Sequence, residues 1–239
     1  MAVIEQLKKI NENLAEYPNV RLIAATKYFD IEKTKEIVEA GVTNIGENRK
    51  DVFLEKREAL KNYKITWHYF GTIKIPPKLS SNFVDSIDYL HSLDSIDLAN
   101  ALNKARKVAE PLKCFVQVNL SNNANRTGLT EAKLIPFIKN LGKYQKLKIV
   151  GLMTIATYTF DDEVLATYFK TMQELQKEVQ SLNLPYAPCT ELSMGMSNDY
   201  QIALKYGATM IRIGTLFSKW KYKLGVFKCS EKRKKRKEE

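Results

Sequence analysis

Val20-Arg-Leu-Ile-Ala-Ala-Thr-Lys27 is an apolar run of strand length, rich in branched and small residues, that ends on a lysine. Tyr28-Phe29-Asp30 leads from it into the helical pattern Ile31–Ala40, which Gly41 stops. A strand feeding directly into a helix opens an α/β unit. It puts Lys27 at the C-terminal mouth of a buried first strand, where such folds bind ligands. Two readings of the lysine stay open at this point. It is either a strand-end side chain that reaches solvent, as most lysines do, or an amine in an apolar pocket, where its basicity falls and it attacks carbonyl groups.

The same alternation extends in both directions. Ile4, Leu7, Ile10 and Leu14 recur at helical spacing, and Pro18-Asn19 ends that first helix. Further strands are expected at Val42–Gly46, Ile65–Gly71, Phe83–Leu90, Lys113–Leu120, Ile149–Ile155, Thr190–Met194 and Thr209–Ile213. Helices are expected at Lys50–Leu60, Ser95–Ala109, Glu131–Asn140, Asp161–Leu182 and Asp199–Tyr206, the last closed by Gly207. Thr130 stands at the cap of Glu131–Asn140, and Pro136 within it is expected to shorten or kink the helix. Thr72–Ser81 holds Pro76-Pro77 and so begins as a loop or short helix, and Ser121–Gly128 reads as a polar loop.

Strand and helix alternate about eight times, which predicts a single α/β domain, a (β/α)8 TIM barrel. The length of 239 residues suits one such barrel. A doubly wound open sheet is the competing architecture, but the glycine fingerprint after its first strand is absent. The barrel is expected over residues 1–227. A basic tail, 228–239, follows and is expected to be disordered.

Composition excludes several classes of function. The chain is 44% hydrophobic and 27% charged, the profile of an ordinary globular protein. Its net charge is +11; the tail has seven Lys/Arg against three Asp/Glu, a net +4, which leaves +7 elsewhere. A basic body suits a phosphorylated ligand and speeds its encounter. Cys114, Cys189 and Cys229 lack framework or metal-ligand spacing, so a reducing, cytoplasmic setting is expected. The first ten residues lack the apolar core of a signal peptide, and no run reaches the length of a membrane span. Neither a Walker-type loop nor a Ser-His-Asp arrangement can be placed, and the aromatics do not form a basic platform for nucleic acid. His68 and His91 are the only histidines, and both are read as structural.

In a barrel the strand ends converge on one mouth. Lys27, Asn48, Gly71, Met153, Ser193, Met194, Arg212, Gly214 and Thr215 all fall at or near such ends. Ser193-Met-Gly-Met-Ser197 and Ile213-Gly-Thr215 set small residues and hydroxyls ahead of helical turns. They are either a phosphate site, which barrels often place after strands seven and eight, or ordinary turns. Arg212 stands in the apolar strand Met210-Ile-Arg-Ile213, so it needs a partner: a ligand or a structural salt bridge.

Several stretches in order resemble the pyridoxal phosphate homeostasis protein family, which is similar to the N-terminal barrel of alanine racemase. They are Ala24-Ala-Thr-Lys27, Ile45-Gly-Glu-Asn48, Trp67-His-Tyr-Phe-Gly71, His91-Ser-Leu-Asp94, Gln117-Val-Asn119, Gly128-Leu129, Gly151-Leu-Met-Thr154, Leu192-Ser-Met-Gly-Met-Ser-Asn-Asp-Tyr200 and Met210-Ile-Arg-Ile-Gly-Thr215. The resemblance spans Leu22 to Phe217. It implies that Lys27 binds pyridoxal 5′-phosphate (PLP) as a Schiff base. It further implies that Ser193, Gly214 and Thr215 hold the phosphate, that Asn48 and Met194 line the pocket, and that Arg212 faces the pyridine nitrogen. An arginine there does not keep that nitrogen protonated, which favours binding over broad amino-acid chemistry.

In the racemases a second domain supplies the opposing tyrosine; no stretch here matches it, so little or no racemisation is expected. One departure stands out. Where the family continues with a Leu-Gln-x-Asn-Lys pattern, this chain has Ile73-Lys-Ile-Pro-Pro77.

The expected role is intracellular PLP (vitamin B6) homeostasis, buffering the cofactor or delivering it to apo-enzymes, by a protein expected to be a monomer without nucleic-acid or membrane partners. The competing roles are a PLP enzyme of low activity on an amino acid, a Schiff-base aldolase, and RNA association through the tail.

Overall fold

The computed structural model describes residues 2–75, 79–121, 126–159 and 161–218. The expected tail, 228–239, and Pro76-Pro77 lie outside them. Helix α1 (Ala2–Leu14) precedes β1 (Arg21–Ala25), α2 (Ile31–Glu39), β2 (Asn44–Glu47), α3 (Lys50–Ala59) and β3 (Thr66–Tyr69). Then come α4 (Ser81–Asp85), β4 (Tyr89–Leu93), α5 (Ile96–Ala105), β5 (Leu112–Val118) and α6 (Glu131–Asn140). The chain continues through β6 (Leu147–Thr154), α7 (Asp162–Ser181), β7 (Glu191–Met196), α8 (Tyr200–Lys205) and β8 (Met210–Ile213).

The eight strands pair in sequence order as one closed, parallel barrel. Closure is made by β1 against β8, from Arg21 beside Met210 to Ala24 beside Ile213. This excludes the doubly wound alternative and bears out the (β/α)8 expectation. Closure also fixes which side chains meet. Alternation places Arg21, Ile23, Ala25 and then Lys27 on the inward face, and Met210, Arg212 and Gly214 opposite them.

The inner core is small and aromatic: Ile23, Tyr89, Phe115, Val150, Met153 and Met210 pack there with Phe70. At the floor Arg21 pairs with Glu191 and donates to the Tyr89 hydroxyl at 2.9 Å. The larger core lies between sheet and helices, where Phe53 meets Trp67, Tyr69 and Phe83 edge-on. Edge-to-face rings of this kind add about 0.5–1.5 kcal/mol per pair beyond their buried area.

Three local expectations are corrected. The fourth strand is Tyr89–Leu93, not Phe83–Leu90, and Ser81–Asp85 is helical. Phe83, Val84 and Ile87 are all buried, and their i, i+1, i+4 spacing serves a helical face as well as a strand. In α1, Val3, Leu7 and Ile10 face the core while Ile4 is 63% exposed. The helix α6 is not shortened by Pro136 but runs on to Asn140.

Candidate functional site

Lys27 stands two residues past the end of β1 and is half-buried, its ammonium 4.9 Å from the centre of the Tyr28 ring. Among the described residues no ion pair involves it. The peptide that carries it is clamped from behind. The Thr26 hydroxyl donates to Glu47 Oε1 at 2.5 Å, and Lys56 Nζ donates to the same oxygen at 2.6 Å and to the Thr26 carbonyl at 2.8 Å. Lys56 and Glu47 are 2% and 0% exposed, a buried ion pair wedged between α3 and the sheet. Among the described residues, Glu47 Oε2 has no hydrogen-bond partner.

Asn48 follows β2 on the inward parity of Asn44 and Gly46, and its carbonyl accepts from the Tyr69 hydroxyl at 3.2 Å. The next strand end closes tightly on it. A Cβ at Gly71 would sit 2.0 Å from the Asn48 carbonyl oxygen, so glycine alone fits. The Ser92 hydroxyl donates to the Gly71 carbonyl at 2.7 Å and fixes that end in turn.

Across the barrel, Arg212 is 6% exposed. It donates to the Ser193 carbonyl at 2.8 Å, to the Ser193 hydroxyl at 2.7 Å and to the Thr154 carbonyl at 2.8 Å. Burial lowers its basicity to about 10, only partly opposed by the Asp199 carboxylate. Among the described residues no salt bridge involves Arg212, so its partners are neutral oxygens of β6 and β7. A buried cation held this way keeps unspent attraction for an anion at the mouth.

Ser193 is fully buried, and its side chain lies in the barrel interior between Arg212 and His91. On the same turn it is Ser197 whose hydroxyl reaches the last strand, accepting from the Gly214 N–H at 3.2 Å. Thr215 is exposed and opens a 3-10 turn, Thr215–Phe217. Met194 is fully buried and packs with the layer between sheet and helices, on the other face of β7 from Ser193. The strand ends thus bring Lys27, Asn48, Arg212, Gly214 and Thr215 round one opening and place the Ser193 and Met194 side chains beneath and behind it.

Sequence reasoning missed Thr26, Glu47, Lys56 and Ser197. Glu47 and Lys56 look like the solvated charges of a strand end and a charged helix, and only tertiary packing buries them. Ser197 carries the one available signal, being the second hydroxyl of Ser193-Met-Gly-Met-Ser197. His68 and His91 are buried as expected, yet they bond to each other at 2.9 Å, which no spacing foretells.

A parallel barrel with a half-buried lysine after its first strand and a buried arginine in its last defines the class of the alanine racemase N-terminal domain. The family model of that description matches residues 2–219. The pyridoxal phosphate homeostasis protein of Aquifex aeolicus is 32% identical over 226 residues, 92% of this chain and 96% of that one. The human protein of the same name is 33% identical over 213 residues, 84% of this chain and 77% of its own. PipY of Synechococcus elongatus, solved with PLP bound, superposes with a TM-score of 0.79 at 31% identity, covering 90% of this chain and 99% of its own. The chain belongs to the pyridoxal phosphate homeostasis protein family.

Proposed function

We propose that this protein holds PLP as a Schiff base on Lys27 and serves intracellular vitamin B6 homeostasis by buffering the cofactor or delivering it to apo-enzymes. The observation that carries this is the pairing of an inward, half-buried Lys27 on a clamped peptide with Arg212, a buried guanidinium that forms no salt bridge among the described residues. The donor set fits the ligand. An amine, a guanidinium, a backbone N–H at Gly214 and hydroxyls at Ser197 and Thr215 suit an anionic aldehyde, and PipY with its bound PLP supports the same reading.

When bound, PLP supplies an aldehyde that condenses with amines and a ring that accepts electrons. The chain's own residues do the rest. Lys27 provides the amine. The Lys56–Glu47 pair fixes the peptide before it. Gly214 and Thr215 offer the phosphate an opening between the last strand and its turn, and Asn48 borders the pocket beside Lys27. Arg212 sets a permanent cation toward the ring, which opposes protonation of the ring nitrogen and favours holding the cofactor over transforming amino acids. We further take the protein to act as a monomer. No described helix is long and apolar enough to cross a membrane.

The test is the absorption spectrum of the purified protein before and after borohydride, beside Lys27→Ala. The expected result is a visible band that borohydride removes while fixing the ligand on Lys27, absent in the variant. A colourless protein that takes up no added PLP overturns the proposal and leaves the aldolase reading in its place.

A further inference from the structure

Five strands are tied through the barrel interior by one run of side-chain hydrogen bonds. Arg212 of β8 donates to the Ser193 hydroxyl of β7 at 2.7 Å. That oxygen lies 2.9 Å from His91 Nδ1 of β4, and His91 Nε2 lies 2.9 Å from His68 Nδ1 of β3. His68 Nε2 lies 3.0 Å from Asn44 Oδ1 of β2, whose amide nitrogen donates to the Thr43 hydroxyl. All three middle members are 0% exposed.

The chemistry of the ends sets the direction. A guanidinium only donates, so Ser193 Oγ accepts from Arg212 and must send its own proton elsewhere. In a site with no access to water, the acceptor in reach is His91 Nδ1. A neutral imidazole with Nδ1 accepting carries its proton on Nε2, and it therefore donates to His68 Nδ1. The same logic makes His68 donate from Nε2 to Asn44 Oδ1. The opposite direction leaves the buried Ser193 proton without an acceptor, which costs about 1–3 kcal/mol.

We infer that His91 and His68 are positioning residues of the cofactor site: they draw the Ser193 hydroxyl proton inward, so that Ser193 Oγ acts as an acceptor that fixes the Arg212 guanidinium at the mouth. This rests on the PLP reading of the site. Both rings are held in plane for the task, Tyr89 stacking on His68 at 4.9 Å and Phe115 on His91 at 4.5 Å. Both are held neutral as well. The charged groups that face them are Arg21 from β1 and Arg212 from β8, while Glu191 of β7 is spent on Arg21 and Lys113 of β5 lies over Tyr89. Ser193 is consequently a holder of Arg212 rather than a hydroxyl donor to phosphate.

The chain has two histidines, so their ring nitrogens can be assigned in the full-length protein by 15N NMR, one signal set vanishing in each variant. The expected result, with or without PLP, is the Nε2–H form for both, unchanged from pH 5.5 to 8.5. An Nδ1–H form, or protonation of either ring within that range, overturns the inference. In PLP-loaded protein, His91→Leu is expected to retain the cofactor about tenfold less tightly in equilibrium dialysis. His91→Asn, whose oxygen replaces Nδ1 as the acceptor for Ser193, is expected to recover part of that loss. Equal retention by wild type and His91→Leu overturns the inference too. The tautomers are read on the wild type without ligand, so failure of the PLP proposal and failure of this inference give different results.

Discussion

Among single side chains, Lys56 is as deeply committed as Lys27 is available. It is buried against Glu47 and holds the carbonyl of the residue before Lys27. Removing one member of such a pair strands the other as an uncompensated charge, at a cost of about 3–5 kcal/mol. Urea unfolding of Lys56→Met is expected to show a loss of that order. The double variant Lys56→Met with Glu47→Leu is expected to lose less than the single one, because no charge is then left buried. Equal losses would show that packing, not charge, governs the site. Lys27 was legible in the sequence because a lysine closing an apolar strand is a local event. Glu47 and Lys56 were not, because nine residues and a chain reversal separate them and each by itself looks solvated. The direction of the Ser193 hydroxyl was hidden for the same reason: it depends on a histidine three strands away in the barrel.

At the level of elements, the end of β7 leading into α8 combines a close approach with a left-handed backbone. Gly195 has φ +93°, and a Cβ there would lie 2.8 Å from the Ala203 Cβ and 2.9 Å from the Tyr200 Cα. The Asp199 carboxylate accepts from the Met196 N–H at 2.5 Å and closes the turn. Gly195→Ala therefore meets both a disfavoured backbone region and a helix it must displace. An expected loss of about 1–3 kcal/mol follows, read as a lowered Tm, together with weaker PLP retention, since that turn carries Ser197, whose hydroxyl accepts from the Gly214 N–H past the end of β8. Strand β7 also shifts register against β8 between Ser193 and Met196. Such a shift leaves no mark in an apolar/polar pattern, so the sequence located the strand but not the side of it on which Met194 lies. The α4–β4 region failed for a different reason. A short apolar run bounded by loops fits both periods, and only pairing with β3 and β5 shows that the strand starts at Tyr89.

Taken whole, the molecule buries two imidazoles that it keeps neutral. Burial lowers His68 to about 3, and burial followed by the charges of His68, Arg212 and Arg21 lowers His91 well below its ordinary value. In the unfolded chain both titrate near 6.5. As pH falls below that value the unfolded state takes up protons that the native state refuses, so stability is fully present above it and declines toward acid. Each histidine contributes a loss of about 2 kcal/mol between pH 7 and pH 5. Urea midpoints across that range are expected to fall accordingly, and to fall less in the double variant His68→Gln with His91→Asn. A wild-type midpoint that holds constant to pH 5 would show that the native rings accept protons after all. The barrel itself was the most legible feature, since eight alternations of strand and helix leave few other ways to bury so many apolar strands.

The floor of the barrel has a consequence for traffic. Arg21, Glu191 and Tyr89 close the end opposite Lys27, and Ile23, Phe115, Met153 and Met210 fill the space above them. Packed side chains thus fill the interior below the strand ends that carry Lys27 and Arg212. In the proposed role, a ligand held on Lys27 would therefore enter and leave by the same side. On the proposed reading, a partner that covers that side to receive the ligand would shut out water and competing amines in the same act, so receipt and protection would be one event rather than two.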